Sequence, residues 1–327
     1  MSKLLDLGSQ ANVRTPDAAA LTEAGKLLRA GELVAFPTET VYGLGANATN
    51  GAAVAHVFAT KGRPVFNPLI THVPTLDAAS QLGVFSESAI RLAQAFWPGP
   101  LTLVLQRTVN CPVSELVSAG LPTLAVRVPD HPLAQALLRQ AACPLAAPSA
   151  NRSGHVSATC ASHVAADLGS RVAMILDGGP AAHGIESTVL DVSSDSILLL
   201  RPGAVPVSTI EAVIGQNVVR PNTGTLRPSS PGQLASHYAP RAALRLNATA
   251  VKPGEALLAF GPDAPACAAT LNLSPSGNTI EAAANLFAGL RKLDAAGPAT
   301  IAVMPIPDNG LGEAINDRLR RAAAPRP

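Results

Sequence analysis

Apolar runs of strand length alternate with stretches of helical period through the first two-thirds of the chain. ELVAFPT, NPLITHV, LTLVLQ, TLAVRV, PLAAPSA, VAMILDGG, STVLDVS and SILLLRPG read as strands, and 52–59, 86–96, 132–140, 160–168 and 208–213 as helices. This alternation predicts an α/β domain on a mixed, mostly buried sheet. From Asn222 to Pro240 the rhythm breaks: NTGTLRPSSPGQLASHYAP is rich in Pro, Gly and Ser and has no period, so it reads as a connection between domains. RAALRLN, ALLAFGP, TLNLS, a helix over 280–293 and TIAVMPIP then restore the pattern over about 85 residues, within the range for a small α/β domain. The expected division is a domain over 1–215, a connecting segment over 216–241 and a second domain over 242–327.

With 327 residues, 47% of them hydrophobic and 14% charged, the chain can bury one large core and a smaller second one. A formal charge of +2 gives no broad field for nucleic acid, and 3% aromatic residues leave few stacking platforms. Any anion must therefore be held by a local pocket. Cys111, Cys143, Cys160 and Cys267 are scattered, with no C-x-x-C pair and no histidine at ligand spacing, so buried reduced thiols are expected. The first residues lack the apolar segment of a secretory signal, and no run of 18 apolar residues follows; a cytoplasmic protein is expected.

Candidate chemistry concentrates between Phe36 and Val73. No Asp or Glu occurs from Thr40 to Thr75, yet the interval holds Lys61, Arg63, His56 and His72, an imbalance that suits a polyphosphate. Gly43, Gly45 and Ala48 form G-x-G-x-x-A between a strand and a helix, where backbone N–H groups can cradle an anion, but the acid a dinucleotide site needs downstream is missing. Lys61 and Arg63, with Asn67, sit on a turn into a strand: Arg grips phosphate oxygens through two N–H groups and Lys adds a mobile charge, unless the turn is simply a solvated basic surface.

Arg127 interrupts the apolar strand TLAVRV, where a charge needs a partner or a ligand; Arg201 ends another apolar run. Either arginine can instead pair structurally with Glu39, Asp177 or Glu186. Ala147, Ser149, Asn151 and Ser157, and later Ser187, bring small and hydroxyl-bearing groups that let a backbone approach a ligand. No G-x-S-x-G elbow accompanies these serines, which argues against a hydrolase nucleophile. His131, His155, His163 and His183 read as surface or capping residues and Trp97 as packing.

Taken in order, FPTETVYGLG (36–45), KGRPVFNPL (61–69), FWPGPLTLVL (96–105), TLAVRVPDHP (123–132), AAPSANRSG (146–154), GIESTV (184–189), LLRPG (199–203) and SPGQLASHYAP (230–240) resemble the threonylcarbamoyl-AMP synthase family, in its longer form with a YrdC-like catalytic domain and a C-terminal domain. The resemblance implies a twisted sheet with a concave basic cavity, a small Rossmann-like second domain, and synthesis of threonylcarbamoyl-AMP and pyrophosphate from L-threonine, bicarbonate and ATP with Mg²⁺ held chiefly by phosphates. A tRNA threonylcarbamoyl-transfer complex would use the product; direct contact with tRNA is left open. By motif, Thr40, His72, Arg127, Ala147 and Ser187 would surround threonine. Arg63, Asn67, Thr123, Ser149, Ser157, Arg201 and Tyr238 would contact ATP, and Lys61 with Arg63 would stabilise charge as pyrophosphate leaves, with no protein metal ligand. The connecting segment would cover the cavity as a lid. Gln233-Leu234-Ala235-Ser236 is neutral where the family is often basic, and Ala158 stands where Pro is frequent. An RNA-binding module and a carbamoyltransferase are the rival readings; the second lacks the acylphosphatase and zinc segments that accompany it.

Overall fold

The computed structural model describes residues 11–221, 236–265, 267 and 269–325. The larger of two sheets is built from β1 (Val13–Arg14), β2 (Val34–Phe36), β3 (Gly43–Asn47), β4 (Ile70–His72), β5 (Gly83–Val84), β6 (Leu101–Arg107), β7 (Thr123–Arg127), β8 (Leu145–Ala146), β9 (Met174–Leu176), β10 (Thr188–Asp191) and β11 (Leu198–Arg201). These 11 strands run β1-β9-β2-β3-β8-β4-β7-β6-β10-β11, with β5 paired to β6 off that path. Parallel pairs such as β4–β7 and β6–β10 stand beside antiparallel ones such as β2–β3 and β6–β7, so the sheet is mixed.

Around it lie α1 (Ala18–Ala30), α2 (Gly51–Lys61), α3 (Leu76–Ser80), α4 (Glu87–Phe96), α5 (Glu115–Ser118), α6 (Pro132–Ala141), α7 (Ala161–Leu168) and α8 (Val207–Ile214). On one face α1 and α6 bury Leu28, Leu137 and Leu138 with Val34, Phe36 and Met174. Val54, Leu92, Val117, Val164 and Ile210, from α2, α4, α5, α7 and α8, share a second core with Leu103, Leu105, Leu124 and Val126. Side chains alternate across a strand, so Leu124 and Val126 enter that core while Ala125 and Arg127 point to the other face. There Ile70, Val104, Ala125, Val189 and Leu200 form only a small apolar floor.

The G-x-G-x-x-A segment is not an anion loop. Gly43–Asn47 is a strand, antiparallel to β2 and β8, and its N–H groups are engaged in pairing, Leu44 donating to Pro148 O at 2.8 Å. The glycines serve packing: a Cβ on Gly45 would lie 2.8 Å from the Phe36 ring. The four cysteines are free and half-buried rather than fully buried.

The second sheet has four parallel strands, β12 (Ala243–Arg245), β13 (Ala256–Ala259), β14 (Thr270–Asn272) and β15 (Thr300–Val303), in the order β12-β15-β13-β14. It carries α9 (Thr279–Ala295), started by the Asn278 side chain, and α10 (Gly312–Ala323), which the sequence pattern did not announce. The two domains share one core. Val41, Val156, Ile185 and Ala204 of the large domain cluster with Phe287, Leu290 and Ile315 of the small one. The neutral stretch Gln233-Leu234-Ala235 lies outside the described residues; Ser236 is half-buried, and the chain from His237 to Pro240 is buried between the domains. Among the described residues no helix is long and apolar enough to cross a membrane.

Candidate active site

Helix α2 delivers the basic turn. The Asn50 side chain accepts from the N–H groups of Ala52 and Ala53 at its start, and Gly62 ends it at φ 61, a left-handed cap that suits glycine. Lys61 and Arg63 therefore flank a helix end, and both are buried, at 4% and 8% exposure, so this is no solvated turn. Arg63 Nε donates to Asn67 O at 3.2 Å and a terminal nitrogen to Pro68 O at 2.9 Å. Lys61 Nζ donates to Ser149 O at 2.5 Å and also to Asn151 O, fastening the AAPSAN segment rather than entering the cavity. Burial and the neighbouring Arg63 hold the Lys61 amine well below its ordinary range, and burial with Arg201 brings Arg63 down to about 10.

Arg63 lines a single cavity with Thr38, Thr40, Val41, Tyr42, Gly43, Ile70, His72, Arg127, Ala147, Pro148, Ser149, Glu186, Ser187, Arg201, His237 and Tyr238. All five positions assigned by motif to an amino acid are on its wall: Thr40, His72, Arg127, Ala147 and Ser187. So are Arg63, Ser149, Arg201 and Tyr238 of the nucleotide set; Asn67, Thr123 and Ser157 are not. Asn67 is wholly buried beside Arg63 with neither amide atom partnered. Thr123 begins β7, four residues or about 13 Å of strand from Arg127. Ser157 donates to Glu186 Oε1 at 2.5 Å behind the wall.

Two hydrogen-bonded groups lie in the polar lining. In the first, Arg127 donates to Gly99 O at 3.2 Å, Thr40 Oγ1 at 2.9 Å and Glu39 Oε1 at 2.5 Å, and the Thr38 and Thr40 hydroxyls are 2.8 Å apart. The partner that an arginine in an apolar strand demands is thus Glu39. Burial alone would raise the Glu39 carboxyl; Arg127 overrides it and holds the acid below its ordinary value. His72, paired in register with Arg127, is pushed down to about 3 by burial and by that arginine, so its ring is neutral. In the second group, Arg201 donates to Ser187 O at 2.8 Å and to its hydroxyl at 3.1 Å, and Ser187 Oγ meets Thr102 Oγ1 at 2.8 Å.

Tyr238 closes the cavity from the connecting segment. Its φ of 63 is unusual for a bulky residue, and its ring stacks on Phe287 at 5.5 Å. His237 packs edge-on against it at 4.1 Å. Sequence reasoning did not assign Thr38, Val41, Tyr42, Gly43, Ile70, Pro148, Glu186 or His237 to the site, although each adjoins or falls within a motif it quoted. His131 proves to be a cap, its Nδ1 accepting from Leu133 N at 3.2 Å.

A wall carrying Arg63, Arg127 and Arg201 against one lining acid, Glu186, with Glu39 tied to Arg127 behind it, can hold a polyanion beside a smaller carboxylate. The family described as "Telomere recombination", Sua5_yciO_yrdC, matches residues 26–203, and the one described as "Threonylcarbamoyl-AMP synthase, C-terminal domain" matches 205–324. The chain is 42% identical over 324 residues to the threonylcarbamoyl-AMP synthase of Bacillus subtilis, covering 94% of this chain and 93% of that protein. It is 40% identical over 323 residues to that of Pyrococcus abyssi, covering 93% and 94% respectively. A crystal structure of P. abyssi Sua5 complexed with L-threonine superposes with a TM-score of 0.88 at 37% identity, covering 96% of this chain and 97% of that one. On sequence and two-domain fold alike, this chain belongs to the threonylcarbamoyl-AMP synthase family.

Proposed function

We propose that the protein condenses L-threonine, bicarbonate and ATP to threonylcarbamoyl-AMP, releasing pyrophosphate and water, in the cytoplasm, for modification of tRNA beside the anticodon. The observation that carries this reading is the meeting of Arg63, Arg201 and Tyr238 with Thr40, His72, Arg127 and Ser187 in one cavity. The carboxylate of threonine is bound by Arg127. Three of the five N–H groups of that guanidinium are engaged by Gly99, Thr40 and Glu39, which leaves a fork for a ligand. Ala147 and Ser187 complete this subsite, and neutral His72 adds polarity without a competing charge.

ATP lies against Arg63, Asn67, Ser149, Arg201 and Tyr238, with Ser157 and Thr123 at its margin. The amine of threonine adds to CO₂ derived from bicarbonate and loses a proton. A carbamate oxygen then attacks the α-phosphorus, and the bond to the β-phosphate oxygen breaks. No covalent enzyme intermediate is needed, so the protein contributes positioning and charge stabilisation, chiefly through Arg63 and Lys61. To reach phosphate, Lys61 must exchange the carbonyls of Ser149 and Asn151 for the nucleotide. Mg²⁺ would arrive with ATP, held mainly by the nucleotide's own phosphates, and would neutralise charge on the triphosphate. Glu186, the acid on the cavity wall, is engaged by Arg318.

Purified protein given ATP, Mg²⁺, threonine and labelled bicarbonate is expected to form a labelled adenylate. Lys61→Ala and Arg63→Ala should each greatly reduce threonine- and bicarbonate-dependent pyrophosphate release. Near-normal turnover in both folded variants rejects the assignment.

A further inference from the structure

Helix α10 of the small domain sends one arginine to the back of the cavity wall. Arg318 is 0% exposed, and its Nε donates to Glu186 Oε2 at 2.8 Å. One terminal nitrogen donates to Asp317 Oδ2 at 2.6 Å, and its guanidinium carbon stands 5.2 Å from the centre of the Tyr238 ring. Glu186 and Tyr238 both line the cavity, whereas Arg318 does not. The other oxygen of Glu186 accepts from Ser157. A residue of the second domain therefore touches two residues of the cavity wall, Glu186 and Tyr238, and reaches Ser157 of the nucleotide set through Glu186.

We propose that Arg318 is a positioning residue for ATP, neutralising Glu186 so that a buried carboxylate does not oppose the triphosphate. This rests on the nucleotide reading above. A carboxylate buried in a wall that must receive a polyanion is a liability unless a cation answers it from the side away from the ligand, and Arg318 occupies that side. The groups around Glu186 are Ser157 from the segment before α7, Arg201 from β11 and Arg318 from α10, with Asp317 and Tyr238 flanking Arg318. Burial pushes the Glu186 carboxyl upward, and Arg318 with Arg201 brings it below its ordinary value, so the acid stays ionised and answered. The same contact places the Arg318 guanidinium over one face of Tyr238, with Phe287 stacked on the ring, which fixes the ring from the small domain.

The test is a cycle of Glu186→Gln and Arg318→Gln assayed near pH 8.5, well above the ordinary carboxylate range. Arg318→Gln is expected to raise KM for ATP by about tenfold, a factor equal to about 1.4 kcal/mol, with kcat and KM for threonine changed less than about threefold. Arg318→Lys, which keeps the charge, should recover most of the loss. In the double variant KM for ATP should return to that of Glu186→Gln alone. An ATP KM within twofold of wild type in folded Arg318→Gln overturns the proposal. Should that variant not fold, the double variant, which leaves no unanswered charge, decides. A value well above that of Glu186→Gln would mean that Arg318 does not act through Glu186, and the proposal falls. Absence of pyrophosphate release in the wild type would instead strike the nucleotide reading itself.

Discussion

Glu39 and Arg127 meet at 2.5 Å inside the cavity wall, both nearly excluded from solvent. One belongs to the turn after β2 and the other ends β7, so the ion pair ties two separate parts of the large sheet at the point where a carboxylate ligand would bind. It also orients the guanidinium: with Gly99 and Thr40 occupying further N–H groups, the planar fork has one posture. Lysine keeps the charge and loses the fork. Arg127→Lys is therefore expected to raise KM for threonine by about tenfold or more while KM for ATP moves less than about threefold. Steady-state kinetics with each substrate varied in turn checks the split, and equal losses for both substrates would contradict it.

His72 makes stability depend on pH. Burial and Arg127 depress its pKa from 6.5 to about 3. Between those values the unfolded chain binds a proton that the folded chain refuses, so the contribution of neutral His72 is complete above 6.5 and is lost as pH falls towards 3. The slope from one such group approaches about 1.4 kcal/mol per pH unit. In folded His72→Asn, stability measured by denaturant titration from pH 7 to 5 should fall less steeply than in the wild type. Parallel curves would show that His72 is not a buried neutral ring.

Gly203 permits the turn on which Ser187 is presented. A Cβ there would lie 2.3 Å from the carbonyl carbon of Ser187 and 2.3 Å from the nitrogen of Thr188, backbone atoms with nowhere to retreat. Gly203→Ala should cost roughly 1–3 kcal/mol of stability or more, as overpacking does. It should also cut turnover, because Ser187 and its bonds to Arg201 and Thr102 are displaced. Thermal melting combined with pyrophosphate release checks both effects; a variant with wild-type melting and turnover would refute the steric argument.

Much of the large domain was legible because apolar runs in a buried sheet are continuous and their helices amphipathic. The strand bearing Arg127 and the helix ending at Lys61 both lie where the pattern puts them. The strand Gly43–Asn47 was not legible. Glycine reads as a loop residue, and its packing against Phe36 exists only once two strands are paired. Helix α10 was missed because its sequence, GEAINDRLRRAA, is polar and basic, and its buried arginine is intelligible only beside Glu186. Motif order brought the cavity residues together, but a motif names neighbours along the chain. The Arg318–Glu186 contact joins residues 132 positions apart in two domains, and nothing local records it.

Gly184 provides a last test of how far the two domains depend on each other. It opens the turn leading to Glu186 and Ser187 at φ 67, and a Cβ there would meet Ala284 O of α9 at 2.3 Å. Alanine would thus pay about 1–2 kcal/mol for the left-handed backbone and, in addition, force the turn away from the helix. Because α9 also reaches the large domain through Arg291, which pairs with Asp167 at 2.6 Å, the interface cannot simply slide to make room. Gly184→Ala should lower the melting temperature and accelerate amide exchange in the segment 184–188 and in the middle of α9, with the cores under α1 and α6 unaffected. ATP binding should weaken with it, since Glu186 and Tyr238 are held from the small domain. If exchange rises in the turn alone while α9 keeps its protection, the glycine serves only its own backbone and the domains are joined elsewhere.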